Sequence, residues 1–273
     1  MKFNPIVAAL VGSLIIAAPV DAATLLRSAP AGAQNSAIPA PTGGAVVLYD
    51  QTDSPAGNGV PDQDFEASFD TYDSEAADDF VVTDSTGWTI TQVNTVGTTG
   101  TPGGSTVDVT IYDDNVIPTE GFNVPGTPVC SYSAIVPVDN LGSFQITLPT
   151  ACVVGPGNYW VAIQTNQAFA SNGQHFWSNR SVQSNSPAVW RNPGDGFGSG
   201  CTNWAPAAVT CGVGGGTAPD YLFQIVGTIG GAGNGLPDPV PQPDVIPAND
   251  WRGLSVLALL MGLGAFAFRR FSK

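Results

Sequence analysis

Basic residues and histidine are scarce in this chain. Its 273 residues include eight Lys and Arg against 22 Asp and Glu, with one histidine and a formal net charge of −14. Between residues 23 and 250 there is no lysine, and three arginines stand against 21 acidic residues. A segment this acidic is repelled by nucleic acid and by anionic membrane surfaces. We therefore exclude nucleic acid as a partner.

The single histidine, His175, limits the catalytic chemistry available. A Ser-His-Asp triad would need it, and no Gly-x-Ser-x-Gly elbow occurs in the central part of the chain. His175 precedes Phe176 and Trp177, which is typical of a packed strand. A pair of carboxylates suited to glycoside hydrolysis stays open, because the acids offer many spatial pairs. We expect no catalytic residues and no enzyme, with a secreted hydrolase as the less favoured alternative.

The four cysteines are Cys130, Cys152, Cys201 and Cys211. An even number outside the cytoplasm favours disulfides, and four cysteines allow three pairings. We favour Cys130–Cys152 and Cys201–Cys211, because each closes a local loop. A zinc site is disfavoured, since the sequence has no Cys-x-x-Cys spacing with nearby histidines.

Both ends of the chain predict export. Residues 1–22 have one lysine, an apolar run and small residues before Ala22, which is the layout of a secretory signal peptide. Residues 250–273 contain an apolar segment followed by Arg269, Arg270 and Lys273. Its sixteen apolar residues (253–268) would span roughly 24 Å as a helix, somewhat less than a hydrocarbon core. We expect signal peptidase and the export machinery as partners, and membrane association through the C-terminal helix.

The C-terminal segment resembles exosortase-type sorting tails of the IPTL-CTERM variety. The resemblance rests on Ile246, Pro247 and Trp251, then the short apolar helix, then Arg269 and Arg270. It implies a bacterial protein whose tail is a sorting signal that a sorting protease recognises and removes. A retained transmembrane anchor is the alternative. The envelope or extracellular space is the expected location.

The centre of the chain predicts one all-β domain over residues 44–229. We expect a linker at 23–43 and a Gly/Pro-rich stalk at 230–249 that holds the domain away from a wall or membrane. Alternating apolar residues predict antiparallel sheets packed in two layers, as in a jelly-roll-like β-sandwich, with a barrel as the alternative. The predicted strands are Ala45–Tyr49, Phe80–Thr83, Trp88–Val96, Thr106–Tyr112, Val129–Val136, Ser143–Leu148, Tyr159–Thr165, His175–Ser178 and Tyr221–Ile229. Helices are expected only at the two termini.

Four short motifs between residues 49 and 165 also resemble a recurring module of secreted bacterial proteins. They are Ala77–Phe80, Trp88–Ile90, Val107–Asp114 and Gly157–Trp160. The resemblance implies a carbohydrate-binding-like sandwich without catalytic residues. We therefore expect a structural or adhesive component of the cell envelope or matrix.

Two groups of residues are candidate binding sites. Asp78-Asp79, Asp113-Asp114 and Asp62-x-Asp64-x-Glu66 are oxygen-rich and would suit a structural calcium ion. We favour the other interpretation, in which these acids cap turns at the rim of the sandwich and are solvated. Trp177, Trp190 and Trp204 lie in a Gly/Asn/Ser-rich region and, in a carbohydrate-binding module, would stack on a sugar ring of a cell-surface or matrix glycan. Otherwise they fill the core.

Overall fold

The computed structural model describes residues 25–29, 38, 44–117 and 122–231. The expected signal peptide, most of the stalk and the C-terminal segment lie outside these residues, as does the whole sorting motif (Ile246, Pro247, Trp251, Arg269 and Arg270). Within the described residues, no helix has the length and apolar character needed to cross a membrane.

Strands account for most of the described chain. They are β1 (Val46–Asp50), β2 (Pro55–Pro61), β3 (Gln63–Asp64), β4 (Glu75–Val82), β5 (Trp88–Thr95), β6 (Gly97–Thr99), β7 (Thr106–Ile117), β8 (Phe122–Ile135), β9 (Val138–Asn140), β10 (Ser143–Val154), β11 (Gly157–Asn166), β12 (His175–Arg180), β13 (Val189–Arg191), β14 (Ala205–Pro206), β15 (Asp220–Tyr221) and β16 (Phe223–Ile229). A short helix, α1 (Phe169–Asn172), follows β11. Each of the nine predicted strands overlaps a strand of the structure.

The strands form three sheets. One has the order β1-β16-β5-β10-β9 and another the order β14-β13-β4-β11-β7-β8, with β3 beside β11. The smallest is built around β12, which pairs with β2, β6 and β15. The pairings are antiparallel except for the short β3–β11 pair. The all-β, antiparallel and sandwich-like character expected from the sequence is therefore confirmed.

The core forms where the apolar sides of these strands meet. Val107, Val109 and Ile111 of β7 are buried in the same cluster as residues from β10, namely Phe144, Ile146 and Leu148. Their polar neighbours on β7 are half-exposed. Each fully buried aliphatic or aromatic side chain contributes roughly 1.5–3 kcal/mol relative to an exposed one. The period-two alternation therefore identifies the inner faces of β7 and β10 correctly.

Two disulfides join Cys130 to Cys152 and Cys201 to Cys211, as the sequence favoured. The first links β8 of the seven-stranded sheet to β10 of the five-stranded sheet. The second closes a segment that ends in a helical turn (Ala207–Cys211). One bond therefore connects two sheets, and the other fixes a long connection.

Part of the expected linker packs against the domain. Leu25 and Ala29 are buried, and the Ala29 amide donates a 3.0 Å hydrogen bond to the carbonyl of Gly59. Arg27 Nε donates a 2.8 Å hydrogen bond to the carbonyl of Phe197. We call residues 25–29 the N-terminal strap. The folded unit thus includes residues before position 44.

Candidate functional site

Asp78 and Asp79 lie inside strand β4 and are both buried. Asp78 Oδ2 accepts a 2.6 Å hydrogen bond from Gln51 Nε2 and a 2.7 Å hydrogen bond from the Tyr221 amide. Strand β4 is central in its sheet, between β11 and β13. The expectation that these acids sit solvated on the rim of the sandwich is therefore wrong. Hydrogen-bond donors from distant parts of the chain offset part of the cost of their removal from water.

Asp79 and one further carboxylate, Asp220, hold the connection between β12 and β13. Asp79 Oδ2 accepts a 2.9 Å hydrogen bond from the Ser186 amide. Asp220, on β15, accepts a 2.5 Å hydrogen bond from the Ser184 amide, and its Oδ2 lies 3.6 Å from Arg180 Nη1. We call Asp78, Asp79 and Asp220 the buried carboxylate cluster. It attaches the 181–188 connection to two sheets.

Burial changes the acidity of this cluster. Desolvation raises the pKa of Asp79 to about 6, and backbone and side-chain hydrogen bonds oppose that rise. Burial also raises the pKa of Asp220 to about 7, with a further contribution from the charge of Asp79. The pKa of Asp78 lies well above its usual value because of burial and then of repulsion by Asp220 and Asp79. Folding therefore favours protonated carboxyl groups here.

The expected metal ligands are not brought together. Asp113 is exposed, and Asp114 accepts 2.8 Å hydrogen bonds from Trp160 Nε1 and Asn123 Nδ2. Glu66 accepts a 2.6 Å hydrogen bond from the Phe169 amide at the start of α1, whereas Asp62 contacts His175. Among the residues that the structure describes, no group of three or more His, Cys, Asp or Glu side chains is placed to hold a metal ion.

His175 sits in a buried network with Asp62 and Thr165. Its Nδ1 lies 2.6 Å from Asp62 Oδ1 and 3.2 Å from Thr165 Oγ1, while Nε2 lies 2.9 Å from the carbonyl oxygen of Gly142. The ring also stacks on Phe144, with ring centroids 4.6 Å apart. Burial alone lowers the pKa of His175, but attraction and hydrogen bonding from Asp62 and Gly142 raise it overall. The imidazole therefore joins segments of the core.

This network has the residue types of a catalytic triad but not its geometry. In a triad the acid and the nucleophile contact opposite ring nitrogens. Here Asp62 and Thr165 both contact Nδ1, and a main-chain carbonyl faces Nε2. His175 and Asp62 are also fully buried. Thr165 is fully buried as well, so its hydroxyl is not exposed to a substrate.

Of the three tryptophans proposed to bind a sugar, two lie in the core and the third is half-buried. Trp177 and Trp190 are fully buried, and their indole N–H groups donate to the carbonyls of Leu222 (2.9 Å) and Pro61 (2.7 Å). Neither ring is displayed to solvent, so the binding interpretation is wrong for these two residues. Trp204 is half-buried, and the guanidinium of Arg191 lies 4.3 Å from the centroid of its ring.

The domain also contains a cavity of about 250 Å³. It is lined by Leu26, Thr98, Thr99, Gly100, Phe169, Gln174 and Phe176. These residues come from the N-terminal strap, from β6 and the residue after it, and from the α1–β12 segment. No local pattern in the sequence predicts this cavity, because its walls are brought together only by tertiary contacts.

Comparison of this chain with protein-family models, with curated proteins and with solved structures found no match. The chemistry of the domain must therefore be inferred from its own residues.

Proposed function

We propose that this chain is a non-catalytic component of a bacterial cell envelope or extracellular matrix, with a structural or adhesive role. The observation that supports this most directly is the burial of its single histidine in a network that engages both ring nitrogens. The buried carboxylates likewise bind amides of their own chain. The polar groups suited to acid–base chemistry thus contribute to the fold.

The two disulfides support an exported domain. Disulfides persist in oxidising compartments and are rare in a reducing cytosol. Each bond closes a loop, and in the chain-entropy account each such closure contributes about 3 kcal/mol to stability. A low proportion of charged side chains, 11%, is in keeping with a neutral-polar surface. The proposed location is the cell envelope or the extracellular space. The proposed fold is a jelly-roll-like sandwich.

Sorting through the C-terminal segment is part of the proposal. A signal peptidase would cleave after Ala22, and a sorting protease of the exosortase type would act near Ile246-Pro247 and Trp251. Intact-mass analysis of the protein recovered from its native envelope tests both steps. The expected mass lacks the residues before Ala23 and the apolar tail. A C-terminus still at Lys273 would contradict the sorting step.

The non-catalytic role is tested with a panel of polysaccharide and ester substrates. The exported, disulfide-bonded chain should show no turnover above a heat-denatured control. Turnover that persists through purification and disappears in Asp78→Asn or His175→Leu, with those variants still folded, would contradict the proposal.

A carbohydrate-binding role is a second candidate, favoured by one specific observation. Trp204 and Tyr112 are half-buried aromatic residues with ring centroids 6.4 Å apart, and Arg191 lies against Trp204 and pairs with Glu75 at 2.5 Å. Aromatic faces next to charged hydrogen-bonding groups suit sugar recognition. A glycan array compares the wild-type chain with Trp204→Ala. Binding that the substitution removes supports this role, and an array without binding by the wild-type chain counts against it.

A further inference from the structure

The cavity described above has a largely apolar lining. Phe176 on β12 is buried, Phe169 on α1 is half-buried, and Leu26 of the N-terminal strap is 45% exposed. The two phenyl rings and the leucine supply surfaces on which a flat ring can pack. A volume of about 250 Å³ accommodates one such ring and its immediate substituents, and lies below the usual range for drug-sized ligands.

None of the described residues that line the cavity is charged, although the chain as a whole has 30 charged residues in its eight basic and 22 acidic side chains. A charged ligand would lose its hydration without gaining a partner of opposite sign, which costs several kcal/mol. The occupant that fits is therefore uncharged.

The walls are held by hydrogen bonds that involve side chains. Gln174 Oε1 accepts a 2.8 Å hydrogen bond from the Leu26 amide, and Gln174 Nε2 donates a 2.7 Å hydrogen bond to the Leu26 carbonyl. Glu66 accepts from the amides of Phe169 and Ala170 at 2.6 and 3.3 Å, which fixes the start of α1. These bonds keep the strap and α1 at a set separation and so maintain the space between them.

The polar groups of the lining are mostly engaged by the protein itself. Both polar ends of the Gln174 amide bind the backbone of Leu26, and the Thr99 hydroxyl accepts a 3.2 Å hydrogen bond from Gln167 Nε2. The Thr98 hydroxyl is not used by any of these bonds. A pyranose needs partners for several hydroxyl groups, and burying them unpaired is unfavourable. The lining thus suits a ring with a single polar substituent.

We propose that this cavity binds one free small molecule consisting of an uncharged, mainly apolar ring with a single hydrogen-bonding group, of the phenol or indole kind. The ring packs against Phe169, Phe176 and Leu26, and its polar group bonds with Thr98. This cavity shares no lining residue with the buried carboxylate cluster or with the group of Trp204, Tyr112 and Arg191, and the proposal does not depend on either of them.

Saturation-transfer NMR on the full exported chain tests the proposal with phenol and indole as probes. Benzoate serves as the charged counterpart of phenol, and methyl glucoside as the polar ring. The Thr98→Phe variant places a phenyl ring in the cavity, and Thr147→Phe makes the same change at an exposed position of strand β10. We expect transfer to phenol and indole in the wild-type chain and in Thr147→Phe, and its loss in Thr98→Phe.

The other outcomes overturn the proposal. Absence of transfer to both phenol and indole removes the site, and transfer that survives in a folded Thr98→Phe variant places the ring elsewhere. Equal binding of benzoate, or stronger binding of methyl glucoside, contradicts the class of ligand. If Thr98→Phe does not fold, Leu26→Ala replaces it, because its backbone bonds to Gln174 are kept while one wall is removed. Unchanged phenol binding in Leu26→Ala also overturns the assignment.

Discussion

The carboxylate of Asp78 and the side-chain amide of Gln51 form a 2.6 Å hydrogen bond in a place where both side chains are buried. Gln51 Nε2 also donates a 2.9 Å hydrogen bond to the carbonyl of Tyr221. The contact joins the residue after β1 to the middle of β4 and to β15, which belong to three different sheets. Removing either partner would therefore loosen the domain at a point where its layers meet.

The first prediction concerns pH. Because the folded-state pKa values of Asp79 and Asp220 are raised to about 6 and about 7, the folded domain binds more protons than the unfolded chain above pH 4. The stabilisation is fully present near pH 4 and is lost as pH rises through these values. For Asp79 alone it amounts to roughly 3 kcal/mol. The raised pKa of His175 acts in the same direction.

Urea denaturation of the disulfide-bonded chain at pH values from 4 to 8 measures this effect. The free energy of unfolding should fall as the pH rises from 4 to 8. A free energy that increases across this range would show that the carboxylates are ionised and well compensated in the folded state.

The second prediction concerns Asp78→Asn. The amide keeps the size of the carboxyl group but removes the charge, so repulsion with Asp79 and Asp220 disappears. The variant keeps one oxygen that can accept hydrogen bonds, so it should be no less stable than the wild-type chain at pH 8 and should lose part of the pH dependence. Asp113→Asn, at an exposed position of β7, is the control and should leave both quantities unchanged. A large loss of stability in Asp78→Asn at pH 8 would mean that the carboxylate form is required.

The third prediction concerns the pair of His175 and Asp62. His175→Leu leaves a buried carboxylate without its partner and should cost about 3–5 kcal/mol in the free energy of unfolding. The double variant His175→Leu/Asp62→Leu should recover part of this loss, since no uncompensated charge remains. Thermal unfolding of the two single variants and the double variant gives the coupling energy. Additive losses would show that the two side chains do not interact.

The fourth prediction separates the tryptophans. Trp177→Ala removes a fully buried ring and should destabilise the domain by about 3–5 kcal/mol. Trp204→Ala removes a half-buried ring and should cost clearly less in the same urea titration. Equal losses would mean that Trp204 is as much a part of the core as Trp177, and would remove the reason for testing it as a sugar-binding residue.

The fifth prediction concerns the disulfide between Cys130 and Cys152. Replacing both cysteines with serine should lower the free energy of unfolding by about 3 kcal/mol, because the unfolded chain regains the entropy of a closed loop. Urea denaturation of this double variant under oxidising conditions measures the change. The wild-type chain in a reducing agent is the comparison, and it should lose at least as much stability.

The sequence determined the class of fold, because alternation along one strand is a local property. Each stretch with a clear period of two, such as Thr106–Tyr112, became a strand with the predicted inner face. Strand β2, with the sequence PAGNGVP, was missed because its Gly and Pro residues indicate turns. It forms through pairing with β12, and that partner is far away in the sequence.

Tertiary structure decided the roles of the polar residues. Asp78 and Asp79 could be selected from the sequence as unusual, but not Gln51 or Asp220, which approach them only when β1, β4 and β15 assemble. Whether a carboxylate is solvated or buried depends on which groups from distant parts of the chain pack against it. No local sequence pattern predicts those contacts. The same holds for the cavity beside Leu26, which arises where three separate segments meet. The sequence by itself therefore determines the class of fold, the cysteines and the acidity of this protein, while the three-dimensional packing determines which groups are free to bind.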